Sequence, residues 1–439
     1  MPGTDGRADA AAPLIVLALL LAALAVAVLV TTPWDPLEGA PVQPAEPDRD
    51  FGPAERAESE AYQTAIRPPA YLGLAVGLAV PVALGLTPLG ARLVTSAARP
   101  LGGGWVWQVL VGGLAVLLTV RLATLAFSAW AESVRRDYGL STRSWAGWAV
   151  DLAKGFGLQV AATLLALLLL VALARALPRW WWVVGAVAAA ALVVALSFVY
   201  PLVVEPVFNR FDSLPEGELR ASLLQMAEDD GVPVEDVLVA DASRRTSTLN
   251  AYVSGFGATR RIVVYDTLLD QAPAEQVRTV VAHELGHAAE HDVRTGTLLG
   301  ALGAAAGVCA LAGLLGWPWL LARAGADGPR DPRVLVAVLA IAGLVGIVTA
   351  PLQGLVSRRI ETRADVHSLD LTRDPTTFAE MQRSLALASH SDLDPPTLVF
   401  VMFASHPTAP QRIALARAWA DLNDVPEPPD LAAVGESGR

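Results

Sequence analysis

Histidine is scarce in this chain, six in 439 residues, yet three of the six fall between His283 and His291. His283 and His287 flank Glu284 in the pattern H-E-x-x-H. On a helix, residues four apart stand one turn apart on one face, so both imidazoles reach a single ion. Glu284 lies about 100° round from His283, close enough to hold a water on that ion without ligating it. The bland alternative is a pair of polar residues on a surface helix. Against it, the other positions are apolar (Val277, Val280, Val281 and Leu285), which suits a packed helix, and a packed His pair needs a partner.

A catalytic zinc takes three protein ligands and keeps one position for water. The extended pattern H-E-x-x-H-x-x-G-x-x-H fails here, because Glu290 stands at the glycine and Val293 at the last histidine. A downstream carboxylate is the other solution, and Glu361 is the best candidate. Glu361 and Asp365 are again four apart. One suits the metal while the other accepts the spare ring N–H of a ligating histidine. The same pair equally suits a charged helix bridged to Arg358 or Arg359. His406 follows an apolar run at 397–403, with Arg412 six residues on. A lone histidine there fits a structural part. Beside a zinc it fits a donor to the oxyanion of a tetrahedral intermediate.

These side chains need a scaffold. Pro273, Ala274 and Glu275 open a helix that runs to about Glu290, since Pro suits the first turn and a carboxylate its positive end. Upstream, 215–230 has helical periodicity ending at Gly231. The segments 236–240 and 261–265 read as short strands, and 250–258, with its glycines, as a strand pair with a loose turn.

Composition places this scaffold in a membrane. The chain is 54% hydrophobic and 17% charged, against about 25% charged in an average soluble domain. Seven apolar runs are long enough to span hydrocarbon, at 13–32, 70–94, 105–130, 157–176, 181–204, 297–324 and 334–356. Arg121 is the main ionisable residue in mid-span. The first run is expected to be an uncleaved span, since no small-residue cleavage pattern follows it. An acidic, Pro-rich linker is expected at 33–69 and a disordered acidic tail at 421–439. The organisation is then 1–204 with spans one to five, 205–296 soluble, 297–356 with spans six and seven, and 357–420 soluble. A net charge of −11 does not suggest a nucleic-acid surface, and the single Cys309 excludes a disulfide framework or a multi-Cys metal site. Lys154 is the only lysine among the basic residues, a bias of GC-rich bacterial genomes.

The stretch 200–292, with TSTLNAYVSGFGATRRIVVYDTLL leading into HELGH, resembles the integral-membrane zinc metalloproteases of the CAAX prenyl endopeptidase type I family, whose shorter relatives are the heat-shock membrane proteases. Leu214–Arg220, Ser357–Asp365 and Ser405–Ile413 are similar to the same branch. The resemblance implies an all-α dominated polytopic protein, about seven transmembrane helices around a chamber, with a zincin-like α+β protease domain split between the loop after span five and the C-terminal segment. It implies one Zn2+ per chain on His283, His287 and Glu361, with Glu284 as general base and later proton donor, and Asp365 outside the ligands. His406 and Arg412 would complete the catalytic site across from the metal. Asn250 and Ala251 would form the edge strand that binds extended substrate. Asp292 matches an acidic position of the shorter relatives, without a derived role.

The implied reaction is peptide hydrolysis by zinc-activated water on a peptide or protein substrate, lipidated or membrane-bound. The CAAX reading removes the last three residues of prenyl-cysteine proteins. The competing reading is quality control of membrane proteins without prenyl specificity. A polytopic binding or transport protein with structural zinc is the distant third, since transporters place their ionisable groups in mid-membrane. Bases beside the span ends (Arg135, Arg136, Arg143, Lys154, Arg294, Arg358 and Arg359) tilt the protease segments toward the cytoplasm, against Arg92, Arg99, Arg175, Arg179, Arg323, Arg330 and Arg333 on the other side.

Overall fold

Without water, backbone groups in hydrocarbon are satisfied only within helices or closed barrels. The computed structural model, which describes residues 5–436 apart from 256, 258 and 259, has seven helices long and apolar enough to cross a membrane. The first five are α1 (Asp5–Thr31), α2 (Pro53–Gly85), α3 (Trp105–Asp137), α4 (Trp145–Ala176) and α5 (Trp181–Phe208). The soluble segment then supplies α6 (Glu218–Asp229) and α7 (Ala274–Ala289). Two more spans follow, α8 (Asp292–Leu315) and α9 (Leu335–Thr372), and then α10 (Pro375–Ala388), α11 (Thr397–Phe403) and α12 (Ala409–Leu422). The apolar run at 297–324 is not one helix. Gly316 and Trp317 end α8, and Pro318 opens a separate short helix, Pro318–Ala324.

α9 decides how the two halves meet. Its 38 residues reach about 57 Å at 1.5 Å per residue, roughly twice a hydrocarbon core. The apolar first part is the span; the charged second part continues unbroken into the soluble half with Glu361 and Asp365.

The soluble half is built on four strands, β1 (Phe211–Ser213), β2 (Asp236–Ala240), β3 (Ala251–Ser254) and β4 (Arg261–Tyr265), in the order β1-β2-β4-β3. β2 and β4 are parallel, β3 is antiparallel to β4, and β3 is therefore an edge. Val237, Ile262 and Val264 pack with Val277, Val281 and Leu285 of α7 and with Leu369, Phe378 and Trp419. Alternating strand residues and one stripe of α7 thus share a single core.

The linker and the tail are not solvated strings. Asp50 and Arg417 form a salt bridge in which each side chain is 1% exposed. Phe51 from the linker and Leu431 from the tail are buried together with Ile413, and Arg417 also donates to the Pro429 carbonyl at 3.0 Å. Such scattered anchors leave no periodicity to read. α2 likewise begins before its apolar run, because Glu55 and Arg67 pair with Arg383 and Asp392 of the C-terminal segment. The end of the expected tail, Ser437–Arg439, lies outside the described residues.

Candidate metal centre

α7 presents two faces. Val277, Val281 and Leu285 are buried against the sheet, so His283 and His287 are turned toward α9, while Glu284, between the two faces, lines a cavity it shares with Val253 of β3. The glycine inside the motif permits that approach. A Cβ at Gly286 would lie 3.0 Å from the His367 Cβ of α9, and His367 is fixed through Nε2 to Asp230 Oδ2 at 3.0 Å. Without a side chain at 286, α9 comes close enough to bring Glu361 to the histidines.

The result is a tight convergence. His283 Nε2 lies 3.2 Å from His287 Nε2 and 3.3 Å from Glu361 Oε2, while His287 Nε2 lies 3.7 Å from Glu361 Oε1. One ligand atom from each of His283, His287 and Glu361 lies within 4.8 Å of the others. Both Nδ1 atoms are already engaged, His283 with Asp365 Oδ1 at 2.9 Å and His287 with Asp292 Oδ2 at 2.9 Å. An ionised carboxylate only accepts, so in the neutral rings both Nδ1 atoms carry the hydrogen and both Nε2 atoms present lone pairs. Two lone pairs then face each other, beside Glu361 Oε2, which is buried and makes no hydrogen bond among the described residues. That arrangement is repulsive alone and attractive around a cation. Two imidazoles and a carboxylate form a donor set suited to zinc.

Each histidine brace is itself braced. Asp365 receives Arg412 Nε at 2.8 Å, and Arg412 Nη2 on its other oxygen. Asp292 receives Arg363, which also reaches Glu290 at 3.2 Å. Burial works to lower the basicity of the His283 ring, but Asp365 and Glu361 outweigh it and raise its pKa to about 9. Near neutrality the ring by itself therefore holds a second proton on Nε2, beside Glu361, and a cation bound there would take that proton's place. Burial raises Glu284 above the ordinary carboxylate range, against the opposing pull of His283 and His287. A carboxylate so raised is closer to the basicity a general base needs near neutrality.

The remaining expected residues are placed as follows. His406 stands at the rim, its side chain 57% exposed, with Nε2 3.3 Å from Glu361 Oε2 and Nδ1 2.8 Å from Ser405 Oγ. Arg412, expected across from the metal, spends its Nε and Nη2 on Asp365 behind His283. Asn250 precedes β3, where its carbonyl accepts from Tyr265 N at 3.0 Å, and Ala251 is buried. A cavity of about 760 Å³ beside Glu284, His287 and Glu361 is lined further along the strand, by Val253 and Gly255, and by Phe198 and Leu298 of α5 and α8. Sequence reasoning missed Arg363 and His367 altogether and found no part for Asp292.

Two family models match successive parts of the chain: peptidase family M48 over residues 213–420, and the CAAX prenyl protease N-terminal model, described as five membrane helices, over 57–210. The chain is 29% identical over 306 residues to an uncharacterized metalloprotease, YhfN, of Bacillus subtilis, covering 69% of this chain and 72% of that one. It is 43% identical over 97 residues to a CAAX prenyl protease 1 homolog of Oryza sativa, and 38% over 96 residues to CAAX prenyl protease 1 of Saccharomyces cerevisiae. Those two matches span less than a quarter of either chain: 22% of this one, and 23% and 21% of the relatives. The crystal structure of S. mikatae Ste24p superposes with a TM-score of 0.75 at 20% identity, covering 92% of this chain and 98% of that one. Together with the His-His-Glu convergence at the junction of span and sheet, these matches make the chain a multi-pass membrane metalloprotease whose residues 213–420 match peptidase family M48.

Proposed function

We propose that the chain is a zinc endopeptidase acting on membrane-associated protein substrates. The observation that carries the reading is the convergence of His283, His287 and Glu361 within 4.8 Å, with both outer ring nitrogens already engaged. These three residues would hold the zinc, which when bound supplies a Lewis acid for the scissile carbonyl and for water. Glu284 takes the proton from the attacking water and delivers it to the leaving amine. His406, at the rim, donates to the oxyanion of the tetrahedral intermediate. Arg412 acts through Asp365, holding the His283 ring in one tautomer. The sheet edge formed by β3, from Asn250 and Ala251 onward, receives extended substrate by strand addition.

Glu284→Gln is expected to keep zinc at wild-type stoichiometry while lowering peptide hydrolysis at least a thousandfold; undiminished turnover would remove Glu284 from the mechanism. Glu361→Ala is expected to lose zinc along with activity, read by metal analysis of the purified protein. Stoichiometric zinc in that variant would reassign the third ligand.

The substrate reading is CAAX-type removal of C-terminal residues after a lipidated cysteine. It is supported by the names of the plant and yeast relatives and by the apolar wall that Phe198 and Leu298 give the cavity. Hydrolysis of a prenylated peptide at least tenfold faster than its unmodified form is expected. Equal rates would favour quality control of membrane proteins. The protease half is assigned to the cytoplasmic face of a bacterial membrane on the bases beside its span ends, and a reporter fused after Arg439 tests that side.

A further inference from the structure

The protein has a second polar pocket, behind the metal centre and at the level where α9 leaves the apolar layer. Three observations fix that level. On α9, Val348 and Leu352 are exposed apolar residues, and the first charges after them are Arg358 and Arg359. α11 (TLVFVMF) leaves Leu398, Val401 and Phe403 exposed. The Phe403 ring stacks on Tyr71 of α2 at 5.9 Å. An apolar surface helix beside a span's tyrosine belongs at the border of hydrocarbon and headgroups.

Between α9, α11 and α12 lies a pocket of about 360 Å³. Leu355 and Phe400 form its apolar side, and Arg358, Arg359, Gln411 and Arg412 its polar side. The close packing of α11 on α9 shapes it. A Cβ at Gly354 would come within 2.9 Å of the Ala404 carbonyl and of Arg358 Nη1. Arg358 donates to that carbonyl, and its Cζ sits 4.6 Å over the Phe400 ring. Among the described residues, Arg358 and Arg359 have no carboxylate within ion-pair distance. Asp365, which also lines the pocket, is committed to Arg412 and His283. Arg412 Nη1 makes no hydrogen bond among the described residues. Three guanidinium groups thus meet one carboxylate that is already shared.

We propose that this pocket binds the phosphate of an anionic phospholipid, received by Arg358 and Arg359, with its acyl chains lying along Leu352 and Leu355. Basic pockets between membrane helices suit such headgroups, and guanidinium groups match phosphate oxygens in geometry as well as charge. Continuity between the apolar wall and the exposed leucines of α9 favours a lipid over a free anion. The consequence is local. Arg412 borders the lipid phosphate on one side and Asp365 on the other, so the lipid abuts the brace of His283.

The test uses the full chain in phosphatidylcholine nanodiscs titrated with phosphatidylglycerol, retained lipid being counted by native mass spectrometry. One phosphatidylglycerol per chain is expected to survive exchange. Arg359→Gln should weaken its retention about tenfold and Arg359→Lys by much less, both at wild-type melting temperature; among the described residues Arg359 makes no internal bond whose loss would unfold the chain. Equal retention by wild type and Arg359→Gln overturns the proposal. Displacement of phosphatidylglycerol by millimolar inorganic phosphate overturns the lipid assignment and leaves a site for the free anion.

Discussion

The two histidines proposed as ligands are braced from opposite flanks, and the flanks differ in kind. Behind the site, Asp365 is fully buried and Arg412 is 13% exposed. At the rim, Asp292 and Arg363 hold His287 with 13% and 21% of their side chains exposed, and Glu290 shares Arg363 while 48% exposed. Both braces perform one task, holding the hydrogen on Nδ1 so that Nε2 is aimed at a shared point. The rim brace has water and a second carboxylate in reserve. The buried brace has no second carboxylate among the described residues, so loss of Asp365 leaves Arg412 without a carboxylate partner.

Three changes test that asymmetry. Asp365→Ala is expected to have the largest effect, weakening zinc about 100-fold, at the upper end for a residue that orients a ligand. It should also destabilise the fold by about 3–5 kcal/mol, because Arg412 is left unpaired; metal competition and thermal unfolding read the two effects separately. Gly286→Ala places a methyl 3.0 Å from His367 and should cost about 1–3 kcal/mol by overpacking. It should also lower activity more than the stability loss accounts for, because α9 carries Glu361 away from the histidines. Asp292→Ala is expected to weaken zinc only about tenfold with less than about 1 kcal/mol in stability, since Arg363 keeps Glu290. Equal effects of the two Asp→Ala changes in the same titration would erase the difference between buried and rim braces.

The site was unevenly legible. His283, Glu284 and His287 lie within five residues on one helix, where spacing alone dictates which side chains share a face. Asp292 escaped because of a backbone turn. Five residues past His287 on a continuous helix would place it about 140° away. His291 instead takes a left-handed conformation, φ 59°, which starts α8 in a new direction and brings Asp292 to Nδ1. Arg412 and His406 were both visible as candidates, but their spacing from His283 carries no information about which lies behind that ring and which at the rim. Asp50, Phe51 and Leu431 were hidden in stretches too polar to show a pattern, and are buried by long-range contacts, Asp50 with Arg417 and the other two in a cluster with Ala379 and Ile413.

The membrane spans, the strands at 236–240 and 261–265 and the paired histidines follow from the order of residues, because hydrophobic runs, alternation and i,i+4 spacing are properties of a local stretch of chain. Which carboxylate meets the histidines, what holds their outer nitrogens and where the linker and tail are pinned depend on contacts between segments tens to hundreds of residues apart. Only the tertiary structure decides those, since α9 must run unbroken from membrane to sheet and pass Gly286 closely before Glu361 arrives.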